Sequence, residues 1–376
     1  MGAEVVSYFD QVMRRQFLPS GRVQYFPTST FEDGTITGVL SGDARAVRAG
    51  KIVDARYLPT AVPAMRARGF EVAEEAICEP LNELPRLAHL DADYVVIGAG
   101  KTGMDACLYL LENGTDPDRI RWITPRDAWL IDRVNFQVDD DSFARSAKSV
   151  ADQVEAIAQA SSIPDVFRRL EACGELLRLD PAVAPTAYHC ATVTRAELTQ
   201  LRRIRNVVRM GRVQRIEPHR IVLQQGEIPT STRTLHVDCS ASALARPPPR
   251  PVFDGERITL QPVRTCQPTF SGAFVGHVEA AYATDDEKNH LCQPIPYPDR
   301  DIDYLKMAVL ELANRVTWSQ DPAIGNWLAT ARLDGFTARA RRLLETDAEA
   351  RAHIGRYAAN VGSAAARMEV LLAAAA

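Results

Sequence analysis

Gly98, Gly100 and Gly103 have the spacing in this chain that most directly suggests chemistry. They follow the apolar run Tyr94-Val95-Val96-Ile97 and precede a stretch of helical periodicity. In that strand–turn–helix context, G-x-G-x-x-G binds a dinucleotide. Gly98 permits the tight turn off the strand, Gly100 lets the backbone approach a diphosphate, and Gly103 lets helix and strand pack closely. The free N–H groups of the first helical turn, with the helix dipole behind them, favour negative charge at that point. Ala99, Lys101 and Thr102 complete the turn, and Lys101 and Thr102 are assigned to the diphosphate.

The elements that must position this turn can be followed along the sequence. From Lys101, Met104, Cys107, Leu108 and Leu111 fall on one helical face, which predicts a helix lying on a sheet. Asn113-Gly114 supplies a left-handed stop and Asp116-Pro117 a turn. A second strand follows over residues 119–124. An NAD-selective site usually carries an acid at the end of that strand, to accept hydrogen bonds from the ribose 2′-hydroxyl. Thr124-Pro125-Arg126 stands there instead, and a cation beside a hydroxyl suits a 2′-phosphate, so NADP is expected over NAD. Asp127, one residue on, is the feature that competes with this expectation.

The chain's 376 residues leave room for two domains, or for one large α/β domain with insertions. A hydrophobic fraction of 46%, a charged fraction of 24% and a net charge of −4 are those of an ordinary soluble protein. They give no reason to invoke nucleic acid or an anionic membrane. No apolar stretch is long enough to span a bilayer and no signal peptide is read, so a cytoplasmic protein is expected, with homodimer formation left open. None of the seven cysteines forms a C-x-x-C pair, which argues against a zinc site or a redox dithiol and for reduced, mostly buried thiols. His189 beside Cys190 is not read as a nucleophile pair, because adjacent strand residues face opposite ways.

Ahead of the glycine unit, residues 5–17 read as an amphipathic helix stopped by Leu18-Pro19-Ser20-Gly21. Short strands at 22–26, 36–40, 46–49 and 51–55, separated by Gly and Asp turns, suggest an antiparallel meander. Beyond Arg126, residues 127–141 lack a period and read as a loop, and residues 142–179 as helices. A helix at 194–204 precedes strands at 207–210, 213–216, 221–223 and 235–240. Residues 246–251 form a stiff proline spacer, Phe270–Val275 reads as a core strand, and the chain is mostly helical after Asp299. The Ala-rich end, 373–376, is expected to fray.

This order of elements resembles the flavin-containing monooxygenase-like group of two-dinucleotide flavoproteins. The resemblance spans roughly residues 5–300 and is most specific over Tyr94–Arg126. It implies an α/β fold with a Rossmann-like NADP-binding domain inserted in a partial FAD-binding domain, followed by a helical C-terminal region. The implied boundaries are 1–90, 91–234 and 235–376. Ile52-Val53-Asp54-Ala55 is similar to the outgoing crossover and Val237-Asp238-Cys239-Ser240-Ala241 to the return. By that likeness Asp54, Ala55, Asp238, Cys239 and Ser240 join the cofactor contacts. The family usually has Ala-Thr-Gly at such a crossover, where this chain has Ala55-Arg56-Tyr57. The family's first G-x-G-x-x-G, which holds FAD, has no counterpart before residue 94: Gly34, Gly38 and Gly42 have no helix after them. Phe270, Gly272, His277 and Tyr282 match the monooxygenase signature in neither spacing nor position.

Three functions follow. The first is an NADPH-dependent flavoprotein oxidoreductase of monooxygenase type acting on a small molecule, in which the cofactors carry the chemistry and no catalytic residue or metal is named. The second is a non-catalytic or partner-dependent NADP-binding protein that has lost the FAD site. The third, ranked lower, is an NAD-linked dehydrogenase using His189 or His277 as base.

Overall fold

The structure, a computed structural model, describes residues 2–87, 93–241 and 246–375. At its centre lies a five-stranded sheet in the order Asn206–Val208, Ile120–Ile123, Tyr94–Ile97, Leu235–Asp238, Ile77–Pro80, every adjacent pair parallel. Tyr94-Val95-Val96-Ile97 is apolar without interruption because both faces of its strand are covered. Tyr94 and Val96 pack with Met104, Cys107, Leu108 and Leu111 of helix Lys101–Glu112. Val95 and Ile97 pack with Val213, Ile216, Ile221 and Leu223 of a second sheet on the other face. That sheet runs Gly226–Pro229, Arg220–Leu223, Val213–Ile216, Glu71–Val72. Asn113 caps the helix and Gly114 follows at φ +86°, as the Asn-Gly stop requires.

Between Ile120–Ile123 and Asn206–Val208 the chain builds a second core. Strands Leu176–Leu177, Ala128–Asp132 and Ala187–Val193 pair there, and helices Phe143–Ala158, Ile163–Ala172, Asp301–Ser319 and Ala348–Ala373 contribute to the packing. The chain is therefore mixed α/β with parallel sheets and a helical C-terminal region.

The chain divides into one compact unit of Met1–Val53 with Glu256–Ile258 and another of Asp54–Gly255 with Thr259–Ala376. In the first, helix Gly2–Val12 continues to Phe17 in a wider turn, and Gly21 at φ +68° ends the segment. An antiparallel meander is present, but as Ser29–Glu32, Thr35–Gly38 and Ala44–Ala46 rather than at the expected bounds. Its first hairpin turns on Asp33-Gly34, both at positive φ. Val5, Val6, Tyr8 and Phe9 stand exposed on the helix.

Several local expectations need correction. Residues 22–26 form no strand. Ala128–Asp132 is a strand inside the expected 127–141 loop; Trp129, Leu130, Ile131 and Asp132 are all buried, so no alternation marks it. Phe270–Val275 lies in helix Pro268–Ala281, where Phe270, Phe274 and Val278 repeat every four residues on the buried side. The C-terminal helix ends at Ala373, where the expected tail begins, with Ala374 and Ala375 in a turn and Ala376 outside the described residues. The boundary expected at 234/235 falls immediately before a strand that pairs with Tyr94–Ile97, so one sheet spans it.

Phe167 anchors the second core, with ring centroids 5.2 Å from Trp129, 5.5 Å from Tyr304 and 6.3 Å from Tyr188. Phe167→Ala is expected to lower unfolding stability in urea by about 3–5 kcal/mol, because the surrounding rings cannot collapse into the space left.

Candidate functional site

The glycine turn is built by two backbone crossings. Gly98 has φ +123°, and its N–H donates to the Ile123 carbonyl at 2.9 Å. A Cβ at Gly98 would collide with the carbonyl oxygen of Cys239, and one at Gly103 with that of Gly98. The buried Gly98 carbonyl oxygen accepts a 2.8 Å hydrogen bond from Trp122 Nε1, a group that sequence reasoning did not single out. Gly100 differs: its φ is −74°, and a Cβ there would meet nothing within 4 Å. The fold thus requires glycine at positions 98 and 103 but not at 100. Gly100 is also the helix N-cap, and it has no side chain to accept from the N–H groups that open the first turn.

The structure brings several expected residues to the strand ends around this turn. Thr124 is buried at the end of its strand, with its N–H on the Val208 carbonyl (2.9 Å) and its Oγ1 without a partner among the described residues. Cys239 N–H donates to the Ile97 carbonyl at 2.9 Å, which seats the return segment beside Gly98. Burial pushes the Cys239 thiol up to about 12, so it is no ready nucleophile. Asp238 Oδ1 accepts from Ser240 N (2.9 Å) and Ser240 Oγ (2.6 Å), and Ser240 Oγ accepts from Arg66 Nη2 at 3.5 Å. Lys101 is ion-paired with Asp105 one turn along its own helix, rather than extended over the turn.

Two cation–carboxylate pairs flank the second strand's end. Arg126 Nη2 lies 2.7 Å from Asp299 Oδ1, and Nη1 lies 3.2 Å from Oδ2. Asp299 also accepts contact from His189 Nε2 at 2.9 Å, and Arg246 Nη2 stands 3.7 Å away. Hydrogen bonding to Arg126 holds the Asp299 carboxyl well below its usual range. Burial, with Arg246 and Arg126 nearby, pushes His189 down despite its bond to Asp299. Asp127 is buried and held by Arg209, whose Nε and Nη2 lie 2.8 and 3.0 Å from its carboxylate oxygens. Sequence reasoning missed both partners. Arg209 lay inside an expected strand, and Asp299 is remote in sequence from Arg126.

Other expected site residues lie elsewhere. The Asp54 carbonyl accepts from Leu260 N at 3.0 Å and its Oδ1 from Arg56 N at 2.9 Å, while Ala55 is exposed. His277 stacks on Trp327 (centroids 4.8 Å apart), beside Phe274 and Trp318 in the C-terminal helices. Cys190 is not a free thiol. It forms a disulfide with Cys266, correcting the expectation of fully reduced cysteines, while Cys78, Cys107, Cys173, Cys239 and Cys292 are free. Cys190 sits at φ +54°, where the pairing of its strand shifts register between Tyr188 and Thr192. Among the described residues no cluster of three His, Cys, Asp or Glu is placed to hold a metal, and no helix is long and apolar enough to cross a membrane.

Comparison with known proteins finds uncharacterized proteins of Mycobacterium bovis and of two Mycobacterium tuberculosis strains. Each is 48% identical to this chain over 332 residues, covering 88% of the chain and 62% of the relative. The chain thus spans about 62% of the length of the curated relatives it matches. No family model and no solved structure matches.

The unequal demands on the glycines can be tested directly. Gly103→Ala should cost about 3 kcal/mol or more in urea unfolding, since the clash is with backbone. Gly100→Ala should leave the midpoint within about 0.5 kcal/mol of the parent.

Proposed function

We propose that this chain binds NADPH across the Gly98–Gly103 turn and forms the pyridine-nucleotide half of an oxidoreductase resembling the flavin-containing monooxygenases. The observation that carries this reading is the strand–turn–helix at Gly98–Gly103, in which Gly100 caps the helix without a side chain and no neighbour stands within 4 Å of where a Cβ would be, leaving the first-turn N–H groups open to a ligand. A diphosphate is the group that the surrounding chemistry suits. The parallel sheet supports a Rossmann-like reading. The turn lies at the carboxyl end of Tyr94–Ile97, the central strand, between the parallel neighbours Ile120–Ile123 and Leu235–Asp238.

Bound NADPH supplies a hydride donor. The chain's own residues bind and orient it. The first-turn N–H groups of Lys101, Thr102 and Gly103 hold the diphosphate, and Trp122 fixes the Gly98 carbonyl so that the turn keeps its shape. Arg126, by exchanging Asp299 for it, would hold the 2′-phosphate, with Thr124, whose hydroxyl is unpaired but buried in this structure, at the same strand end. Asp127 is engaged by Arg209 and does not compete as a ribose acceptor, which favours NADP over NAD.

The described residues contain one strand–glycine–helix turn, and the N-terminal meander offers no second cradle for a flavin diphosphate. No step is therefore assigned to a flavin. The same observation favours a second reading, an NADP-binding protein that depends on a partner for flavin or has no catalysis of its own. The substrate in the first reading is a small molecule.

Titration calorimetry tests the coenzyme site that both readings share. The parent chain should bind NADPH, and Gly100→Val should abolish binding while its thermal melt stays unchanged. Arg126→Ala should weaken NADPH about 10- to 100-fold and leave NADH unaffected, the loss of a charge-assisted contact. Equal binding by parent and Gly100→Val would remove the proposal. Absorbance near ~450 nm in the purified protein would mark bound flavin and the first reading, and a colourless NADPH binder the second.

A further inference from the structure

Away from the glycine turn, a cleft of about 120 Å³ opens between helix Phe143–Ala158, strand Ala128–Asp132 and the first turn of helix Arg195–Leu201. Arg145, Lys148 and Arg195 line it, with Asp132 and Glu175 as the acids. Lys148 is paired with Asp152, and Arg195 Nε with Asp132 Oδ2 at 2.7 Å. Arg145 has no ion-pair partner among the described residues. Gly174, at φ +82°, leaves room for the Arg195 head: a Cβ there would stand 3.2 Å from Nη2.

Glu175 closes the floor, only 5% exposed. It is held by neutral donors alone: Ser149 Oγ at 2.7 Å, Gln153 Nε2 at 3.0 Å and Asn135 Nδ2 at 3.1 Å. With Glu175 protonated, the three lining cations face two paired carboxylates, Asp132 and Asp152, and one positive charge is left over. When Glu175 ionises, that excess disappears.

We infer that this cleft is a binding site for a small oxyanion, held by Arg145, Lys148 and Arg195 and opposed by the charge of Glu175. The site is independent of the coenzyme turn. Its size admits an inorganic oxyanion or a small carboxylate, and its rim offers guanidinium forks suited to either. Burial raises Glu175 to about 7, against the hydrogen bonds from Ser149 and Gln153. The other groups facing it are Lys148, Asp152 and Cys173, Tyr188 and Tyr304 behind it, and Asp132 with Arg195 across the cleft. Arg356 bonds Asp152 at 2.8 Å from the far side. No histidine lines the cleft. The sign follows: anion and protonated Glu175 favour each other, so affinity is highest below pH 7 and is lost as the carboxyl ionises above it.

Sulfate is the probe, because its charge is constant across this range. Calorimetric titration of the full chain should give one saturable site that depends on Arg145, roughly tenfold weaker at about pH 8.5 than at about pH 5.5. Glu175→Gln should bind sulfate equally at both values. Arg145→Ala, an exposed change with little reach into the core, should lose the site at both while NADPH titrates as in the parent. Sulfate binding unaffected by Arg145→Ala, or a pH dependence that survives Glu175→Gln, would overturn the inference. Loss of NADPH binding in Gly100→Val with the Arg145-dependent sulfate site intact would bear on the coenzyme site alone.

Discussion

The structure depends on one close crossing of main chains. Gly103 lies against the Gly98 carbonyl, and Gly98 against that of Cys239, each too near for a side chain. Three segments from distant parts of the sequence are thereby locked at one point: the central strand, the helix that leaves it and the strand that returns. The crossing buries a carbonyl oxygen that would be costly if unpaired, and Trp122 supplies its donor. The turn at the strand end is therefore a fixed feature of the backbone, and the N–H groups that open the following helix hold positions that a side-chain rotamer cannot alter.

The same crossing explains which parts of the molecule were legible in the sequence. Glycines required by backbone proximity leave a spacing, and helix Lys101–Glu112 leaves a period, so the central unit could be read residue by residue. Elements buried on all sides leave neither. Ala128–Asp132 shows no alternation because neither face is wet; Pro268–Ala281, buried on one side only, carries a four-residue period, but its aromatics also suit a strand. Pairings between distant residues leave no local trace at all. Arg126 was visible as a cation in the right place, but its commitment to Asp299 was not. The Cys190–Cys266 bond joins residues 76 apart, neither in a C-x-x-C pair. The residues assigned by family likeness divided in the same way. Asp238, Cys239 and Ser240 meet the turn, through hydrogen bonds within the central sheet and its return. Asp54 is instead bound to the Leu260 segment.

Much of the charge near the turn is already spent within the protein. Lys101 has Asp105, Arg126 has Asp299, and Arg209 has Asp127. An anionic ligand that called on any of these three cations would do so by exchange, and what matters is the cost of each exchange; Arg66, near Ser240, has no such carboxylate partner among the described residues. That cost depends on burial. Asp127 is buried, and withdrawing Arg209 would strand a carboxylate away from water, a penalty of several kcal/mol for such a charge.

Arg126 is different, because both it and Asp299 remain more than a third exposed, at 41% and 37%. A pair of that kind is worth about 0–1 kcal/mol, and Asp299 on losing Arg126 retains water, His189 and nearby Arg246. Release of Arg126 is thus inexpensive, whereas a phosphate dianion returns a stronger, geometrically matched bond to the guanidinium. Of the two arginines at these strand ends, one is fixed as structure and the other is available for recognition. What separates them is the solvent exposure of their partners, not their own chemistry. At the proposed coenzyme site, the difference sets the direction of selectivity: with Asp127 held by Arg209 and Arg126 exchangeable, the strand end would suit a 2′-phosphate better than a ribose hydroxyl.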